Sequence, residues 1–300
     1  MKIFITGGTG FIGAHLIKAL TELGHIITIL TRNVKRDRLS SSVSYIEGNP
    51  MMPGHWQEHI KNHDVVINLA GKSIFCRWTE ANKTEILQSR IQTTKNIVDA
   101  IKHDGTKTTT LINASAVGYY GFHGNESIDE SFPAGDDFLA HIAEQWEDAA
   151  KTAEKYHIRV VLCRIGVVLG ENGGALKKML SGFKYGLGTP LGSGKQWFPW
   201  ISIDDLTRII VFAIDNDKLS GPINCTAPKP VTNREFSKTL GKVLRRPVIF
   251  PSPPKWIIRL ILGEFAFVLL EGQRALPKKL LDHGFRFKHN KLFLALSDLI

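Results

Sequence analysis

The opening stretch of the chain changes its hydrophobic period twice. From Lys2 it reads KIFITGGTGFIGAHLIKALTELGHIITILTR. Lys2–Thr6 and Ile26–Leu30 are short β-rich apolar runs. Between them Ile12, Leu16, Leu20 and Leu23 form a helical stripe, and Gly24 stands where a helix C-terminus favours glycine. This predicts strand, helix, strand. Val43–Glu47 predicts a third strand ending at Gly48-Asn49, and Asp64–Leu69 (DVVINL) is the continuous apolar run of a central parallel strand. A helix is predicted over Glu80–Ile101, its stripe passing through Ile86, Thr93, Ile97 and Ile101. Thr109–Asn113 predicts strand five and Val160–Cys163 strand six. Between them lies a long helical stretch, Asp136–Tyr156, with Leu139, Ile142, Trp146, Ala149 and Ala153 inward. Strands alternating with helices predict an α/β fold built on a doubly wound parallel sheet.

Beyond Gly173 the character changes. Gly182–Gly194 is glycine-rich, and Lys195-Gln196-Trp197-Phe198-Pro199-Trp200 is dense in aromatics. Aromatic faces beside a Lys and a Gln suit an anionic or ring-bearing small molecule, so Gln196 and Trp197 are candidate substrate residues; a hydrophobic lid would use the same residue types. Ile201-Ser202-Ile203-Asp204-Asp205 predicts a helix start with an Asp as cap. Pro251–Pro254 marks a linker to a C-terminal helical segment, and no internal repeat is apparent.

The first turn carries chemistry. Gly7, Gly10 and Gly13 follow the first strand at G-x-x-G-x-x-G spacing. Glycines let the backbone turn tightly and approach a pyrophosphate, and the following helix offers free N–H groups, from Phe11 and Ile12 onward, to that anion. Flanking strands and a terminated helix supply the context a dinucleotide site requires. The end of the second strand then selects the cofactor. An acid there would bind a ribose 2′-hydroxyl. This chain has Thr31-Arg32, with Lys35 and Arg36 close behind. A guanidinium binds a 2′-phosphate through paired charge-assisted bonds, so the expected cofactor is NADP(H).

Other candidates sit at predicted strand ends. Asn68-Leu69-Ala70-Gly71 is small enough for close approach of a ligand at the edge where doubly wound sheets bind, placing Leu69, Ala70 and Gly71 beside the cofactor. Arg90 falls in the apolar stripe of its helix, where a guanidinium needs an anion: the cofactor, or a structural carboxylate. Glu85, more than one turn earlier, is placed to orient Arg90 or a ribose hydroxyl. Ser115, Tyr119 and Tyr120 follow strand five, where a hydroxyl can bond a substrate carbonyl or alcohol. Val168 follows strand six, in the segment expected at the nicotinamide end.

Composition narrows the classes. With 300 residues and no low complexity, the chain reads as globular and soluble. The net charge of +10 comes from dispersed basic residues, with some clustering at the C-terminal end (Lys278, Lys279, Arg286, Lys288, Lys291). This favours a solvated basic surface attracting an anionic cofactor and a small-molecule substrate over nucleic acid. Trp256–Leu270 is broken by Arg259 and Glu264 and is too short to span a bilayer. It reads as a buried or subunit-contact helix, leaving a homodimer open and giving no reason to expect a membrane partner. No secretory leader is expected, because the first apolar run belongs to strand one. Cys76, Cys163 and Cys225 suggest neither a disulfide framework nor a zinc motif, which fits a reducing cytoplasm. His55-x-x-Glu58-His59 matches the inverted zinc-protease pattern, and His63 shares its helical face. With no third ligand evident, a polar surface helix is the reading and no metal is expected.

The segments Thr6-Gly7-Gly8-x-Gly10-Phe11-Ile12-Gly13, Asn68-Leu69-Ala70-Gly71, Tyr120-Gly121 and Ile203-Asp204-Asp205 resemble the extended short-chain dehydrogenase/reductases of the NAD-dependent epimerase/dehydratase superfamily. Arg77-Trp78, Ser89-Arg90, Ser115–Gly121, Trp146-Glu147, Gly166–Gly170, Gly192-Ser193-Gly194, Ala227–Asn233 and Leu270–Arg274 resemble its atypical "epimerase family protein" group, some members of which carry a SulA label. The resemblance covers nearly the whole chain. It implies an NADP-binding Rossmann core at 1–170, completed by parts of 200–225, with substrate-lobe segments at 171–250 and a C-terminal helical extension at 251–300. It implies cofactor contacts at Thr31, Arg32, Leu69, Ala70, Glu85, Arg90 and Val168. The chain departs from the superfamily at one point. Four residues after its five tyrosines, Tyr45, Tyr119, Tyr120, Tyr156 and Tyr185, stand Asn49, His123, Gly124, Val160 and Thr189, so the catalytic Tyr-x-x-x-Lys is absent. The sugar-epimerase mechanism therefore does not carry over. What is expected is an oxidoreductase acting on a small carbonyl or alcohol compound, with Ser115, Tyr119, Tyr120 and His141 as candidate proton donors. The alternative is an NADPH-binding sensor or regulatory protein without turnover.

Overall fold

The computed structural model describes residues 1–34, 42–102, 106–171 and 173–300. Its first half alternates β1 (Lys2–Thr6), α1 (Phe11–Glu22), β2 (Ile26–Thr31), β3 (Val43–Glu47), α2 (Trp56–Ile60), β4 (Val65–Asn68), α3 (Glu80–Ile101) and β5 (Thr110–Ala116). There follow β6 (Ser127–Ile128), α4 (Phe138–Lys151) with a 3-10 turn at Thr152–Tyr156, β7 (Arg159–Ile165) and β8 (Val167–Gly170). The remainder comprises α5 (Gly174–Lys184), β9 (Trp197–Phe198), β10 (Trp200–Ser202), α6 (Ile203–Asp215), β11 (Gly221–Cys225), β12 (Val231–Thr232) and α7 (Asn233–Val243). Last come α8 (Lys255–Leu262), α9 (Ala266–Leu270), β13 (Arg274–Ala275), α10 (Lys278–Asp282) and α11 (Leu292–Leu299).

Seven strands form one sheet in the order β3-β2-β1-β4-β5-β7-β11, parallel throughout. The strand order reverses between β1 and β4, and a doubly wound sheet opens its ligand crevice at the strand ends beside such a reversal. Both faces are covered. Leu16 and Leu20 of α1 and Leu206, Ile209 and Ile210 of α6 pack on Ile3, Ile5 and Ile67 on one side. Trp56 and Ile60 of α2, Ile97 and Ile101 of α3 and Ala150 of α4 pack on Phe4, Val66 and Leu111 on the other. This is why β1 and β4 read as unbroken apolar runs rather than alternating ones. A third cluster joins α5, α7 and α11 through Leu176, Phe236, Leu240 and Leu296 around the buried Trp200.

Strands five and six run three and two residues further than the apolar pattern indicates, through Ala116 and Ile165, because their last residues continue the ladder as Ser115↔Arg164 and Ala116↔Ile165. The helix after Ile201 is also capped differently from expectation. Ser202 Oγ accepts from the Asp205 amide at 3.1 Å. The buried Asp205 carboxylate accepts instead from the Lys288 and His289 amides, both at 2.8 Å. An acid in the first turn of α6 thus ties the C-terminal segment to the sheet layer, where Leu280 and Phe285 join the first core cluster. Trp256–Leu270 is not one buried helix. It divides into α8 and α9, and Trp256, Leu260 and Ile261 of α8 are exposed.

The histidine pattern near residue 59 is structural. His55 pairs with Glu58 at the surface. His63 lies beyond the end of α2 and is buried, with Nδ1 against the His59 carbonyl at 2.8 Å and Nε2 against Thr28 Oγ1 at 2.8 Å. Among the described residues no cluster of His, Cys, Asp and Glu could hold a metal. Burial lowers the His63 pKa below its ordinary value of 6.5. The folded state therefore binds fewer protons than the unfolded state, and this contribution to stability is lost as pH falls from above 6.5 through the lowered value. Thermal melts from pH 7.5 to pH 5 are expected to show stability falling over this window, with a shallower slope in His63→Gln. An unchanged slope in the variant would contradict the assignment.

Candidate active site

A cavity of 540 Å³ opens at the C-terminal ends of β1, β4 and β5. Its floor is the glycine turn. Gly7 has φ +73°, and a Cβ there would lie 2.5 Å from the Leu69 carbonyl carbon. At Gly13 a Cβ would meet the Gly7 carbonyl oxygen at 2.6 Å. These glycines allow the turn, the first helical turn and the end of β4 to lie in mutual contact, so that an anion can reach the N-terminus of α1. Phe11 is wedged on the far side of the turn: a Cβ at Gly173 would stand 2.2 Å from its ring. The cofactor-side turn and the loop after β8 are thereby locked together.

The adjacent strand ends are held by a buried polar network. Asn68 Oδ1 accepts from Thr6 Oγ1 at 2.7 Å and from the Ala70 amide at 3.2 Å. Asn68 Nδ2 donates to Asn113 Oδ1 at 2.7 Å and Thr94 Oγ1 at 3.0 Å. Trp146 Nε1 donates to the same Thr94 hydroxyl at 2.9 Å. Asn68, Asn113 and Thr94 are fully buried.

The structure brings Gly7, Gly10, Phe11, Ile12, Gly13, Leu69, Ala70, Gly71, Arg90 and Val168 together on the wall of this one cavity. Arg90 lies against Gly71, whose added Cβ would be 3.3 Å from the guanidinium carbon. It donates to the Ile86 carbonyl at 2.9 Å and sits 5.2 Å from the Trp146 ring centroid. It forms no ion pair among the described residues. Burial without a carboxylate lowers its pKa to about 10, so it stays cationic at neutral pH and bears the cost of desolvation. The structural-carboxylate alternative for Arg90 therefore has no partner here. Glu85 does not orient Arg90: it pairs with Lys72, which also donates to Asn82 Oδ1 at 2.7 Å. Thr31 and Arg32 stand away from the cavity wall at the end of β2. Thr31 is buried with its hydroxyl on the Asn33 carbonyl at 3.1 Å, and Arg32 is exposed. Lys35 and Arg36 lie outside the described residues.

The four proton-donor candidates are dispersed. Ser115 lines the cavity, but its hydroxyl donates to Glu147 Oε1 at 2.7 Å. Glu147 is in turn gripped by Arg164 through two bonds of 2.8 Å, with both partners buried. Tyr120 is buried outside the cavity, donating to Asn224 Oδ1 and accepting from Arg164, and burial pushes its pKa up to about 12. Tyr119 packs its ring against Arg164 at 3.5 Å, and His141 is exposed. Gln196 and Trp197 both line the cavity. Lys72, Phe75, Met179, Leu191, Val268 and Gln273 line it too, and sequence reasoning missed them. They come from the 71–79 strap, α5 and the 191–273 lobe, and their convergence is purely tertiary.

Residues 3–225 match the family model described as "NAD dependent epimerase/dehydratase family". The chain belongs to that family. Residues 253–299 match a second model, a domain of unknown function (DUF1731). The chain is 43% identical over its whole length to "Epimerase family protein YfhF" of Bacillus subtilis, of which the match covers 98%. It is 41% identical, again over its whole length, to the chloroplastic "Epimerase family protein SDR39U1 homolog" of Arabidopsis thaliana, covering 87% of that protein. Among solved structures, human epimerase family protein SDR39U1 with NADPH superposes with a TM-score of 0.87 at 33% identity, covering 100% of this chain and 99% of that one. These matches place the chain in the atypical epimerase group of an NAD(P)-dependent family. Among the described residues, no helix is long and apolar enough to cross a membrane.

The Arg164–Glu147 pair has a direct test. Glu147→Gln removes the charge opposing a buried guanidinium and is expected to cost about 3–5 kcal/mol in urea denaturation. A loss below about 1 kcal/mol would show that the pair is not a structural anchor.

Proposed function

We propose that the protein binds NADP(H) in this cavity and reduces a small carbonyl compound, or oxidises the matching alcohol. The observation that carries the reading is Arg90: a desolvated guanidinium with no carboxylate partner among the described residues, on the wall of a cavity floored by a glycine turn and a helix N-terminus. A dinucleotide supplies the anion that such an arrangement lacks. Phe11 and Ile12 at the start of α1 receive the pyrophosphate. Leu69, Ala70 and Gly71 lie along the adenosine ribose, and Val168 stands at the nicotinamide end. Exposed Arg32, at the end of β2, suits a 2′-phosphate, with no acid beside it to favour a ribose diol. The human relative crystallised with NADPH supports the same choice.

Bound NADPH supplies a hydride, which forms a C–H bond at the carbonyl carbon while the oxygen takes a proton from water, giving the alcohol and NADP⁺. The chain's part is to hold the reacting carbon at the Val168 end and to exclude bulk water with the 71–79 strap. Ser115 Oγ, its proton committed to Glu147, serves as an acceptor for a bound donor rather than as a proton donor. A second reading, an NADPH sensor without turnover, is favoured by that same commitment of Ser115 and the burial of Tyr120. Single-turnover oxidation of NADPH by an added carbonyl compound separates the two.

Two substitutions test the cofactor assignment. Arg32→Asp is expected to weaken NADPH binding at least about tenfold, the loss of one charge-assisted contact, and to leave NADH binding nearly unchanged. Equal loss for both cofactors in calorimetry would overturn the 2′-phosphate contact. Arg90→Ala is expected to weaken NADPH binding while leaving the apo melting temperature unchanged or higher, because no ion pair is broken. A lower apo melting temperature with unaltered NADPH affinity would assign Arg90 to structure alone.

A further inference from the structure

We infer that the substrate half of this cavity selects a lipophilic carbonyl compound without phosphate groups, rather than a nucleotide-linked sugar. The inference rests on the reading above that the cofactor occupies the glycine-turn end. Beyond that end, the wall is made by Ile74, Phe75, Leu139, Met179, Leu191 and Val268. These come from the strap, α4, α5, the glycine-rich loop and α9, so five separate segments present apolar side chains to one space.

Three amide side chains on the same wall are engaged with backbone groups. Gln196 Nε2 donates to the Leu191 and Leu269 carbonyls at 3.0 and 2.9 Å. Gln273 Nε2 donates to the Val117 carbonyl at 2.6 Å, and Asn233 Oδ1 accepts from the Leu191 amide at 2.8 Å. The Gln196 and Gln273 amide nitrogens thus spend donors on backbone carbonyls that a sugar's hydroxyls would otherwise use. Gln196 is thus a wall support rather than the ligand-facing amide that its aromatic neighbours suggested.

Charge leads to the same conclusion. The charged side chains lining the cavity, among the described residues, are Lys72, Arg90 and Glu271. Lys72 is paired with Glu85, Arg90 faces the cofactor end, and Glu271 is an acid paired with Lys255 at 2.9 Å. Lys178 and Arg274 lie against the Phe75 and Trp197 rings at 4.2 and 4.8 Å, but neither lines the cavity, so a second pyrophosphate would meet no unpaired cation on that wall. The smaller neighbouring pocket of 220 Å³ offers Lys195, Lys255 and His123. Lys255 is committed to Glu271 and His123 stands 3.4 Å from Glu126, which leaves Lys195 alone. Apolar area of this kind gives affinity that grows with ligand chain length, roughly three- to fourfold per buried methylene.

The test uses the full chain in apo form, with Nile red as reporter and 2-octanone, 2-decanone, 2-dodecanone and UDP-glucose as competitors. Expected is displacement that strengthens roughly three- to fourfold per methylene along the ketone series, with none by UDP-glucose. Val268→Asp is expected to weaken 2-dodecanone at least tenfold while leaving NADPH affinity by calorimetry intact. Should that variant fail to fold, Phe75→Ser at the exposed strap is expected to act in the same direction. The double variant Leu260→Ser/Ile261→Ser, on the exposed face of α8, is expected to change nothing. Displacement by UDP-glucose, a flat ketone series, or loss of ketone binding in the α8 variant instead of the cavity variants would overturn the proposal. Failure to bind NADPH, with the ketone series intact, would overturn the cofactor reading and leave the apolar selectivity standing.

Discussion

The Asn68 side chain is the constraint on which the site depends. It stands at the end of β4, beside the reversal of strand order, and spends its hydrogen bonds on four partners in the sheet and in the helix packed on it. One oxygen holds Thr6 of β1 and the Ala70 amide, and one nitrogen holds Asn113 of β5 and Thr94 of α3. Because Asn68 is fully buried, each of these bonds is made in a low-dielectric setting where the alternative is an unsatisfied polar group. The geometry that follows is narrow. The register Thr6↔Asn68↔Asn113 aligns three strand ends, so the glycine turn after β1 and the small residues after β4 meet at backbone contact. Trp146, fixed to the same Thr94 hydroxyl, then supplies the ring beside Arg90.

A second buried group organises the ends of β5 and β7. The fork from Arg164 to Glu147 joins β7 to α4, and from it Ser115 and Tyr120 take their hydrogen bonds. Hydroxyls that look chemically available at a strand edge are thereby recruited into holding β5 and the turn after it to α4, β7 and β11. The superfamily places its proton-donating Tyr on the helix corresponding to α4; here that helix presents Leu139, Ile142 and Trp146 to the cavity. The surface that lacks the acid–base pair is thus apolar.

Much of this was legible in local pattern. Helix α3 was read at its observed bounds from its apolar stripe, and the structure adds a Thr79 cap whose hydroxyl accepts from the Asn82 amide. The glycine turn was legible because its requirement is a backbone conformation that only a few residue types adopt. Arg90 stood out as a cation in an apolar stripe. Long-range polar pairing was not legible. Glu85 was matched to Arg90 or a ribose hydroxyl by its place along α3, whereas Lys72, from the preceding strap, pairs with it. Asp205 looked like a cap because caps are local; its true partners are the amides of residues 288 and 289, brought there by the final turns of the chain. His63 looked like part of a surface face because helical periodicity was extended past Ile60, where α2 ends. The cavity's apolar wall required five segments to converge, and no single stretch carries that information.

The measurement that bears most directly on the account is a crystal structure of the protein with NADPH. The account requires the pyrophosphate over residues 7–13, at the N-terminus of α1, and the Arg90 guanidinium within hydrogen-bonding distance of a cofactor oxygen. Cofactor density elsewhere, or an Arg90 that stays on the Ile86 carbonyl without touching the cofactor, would contradict it.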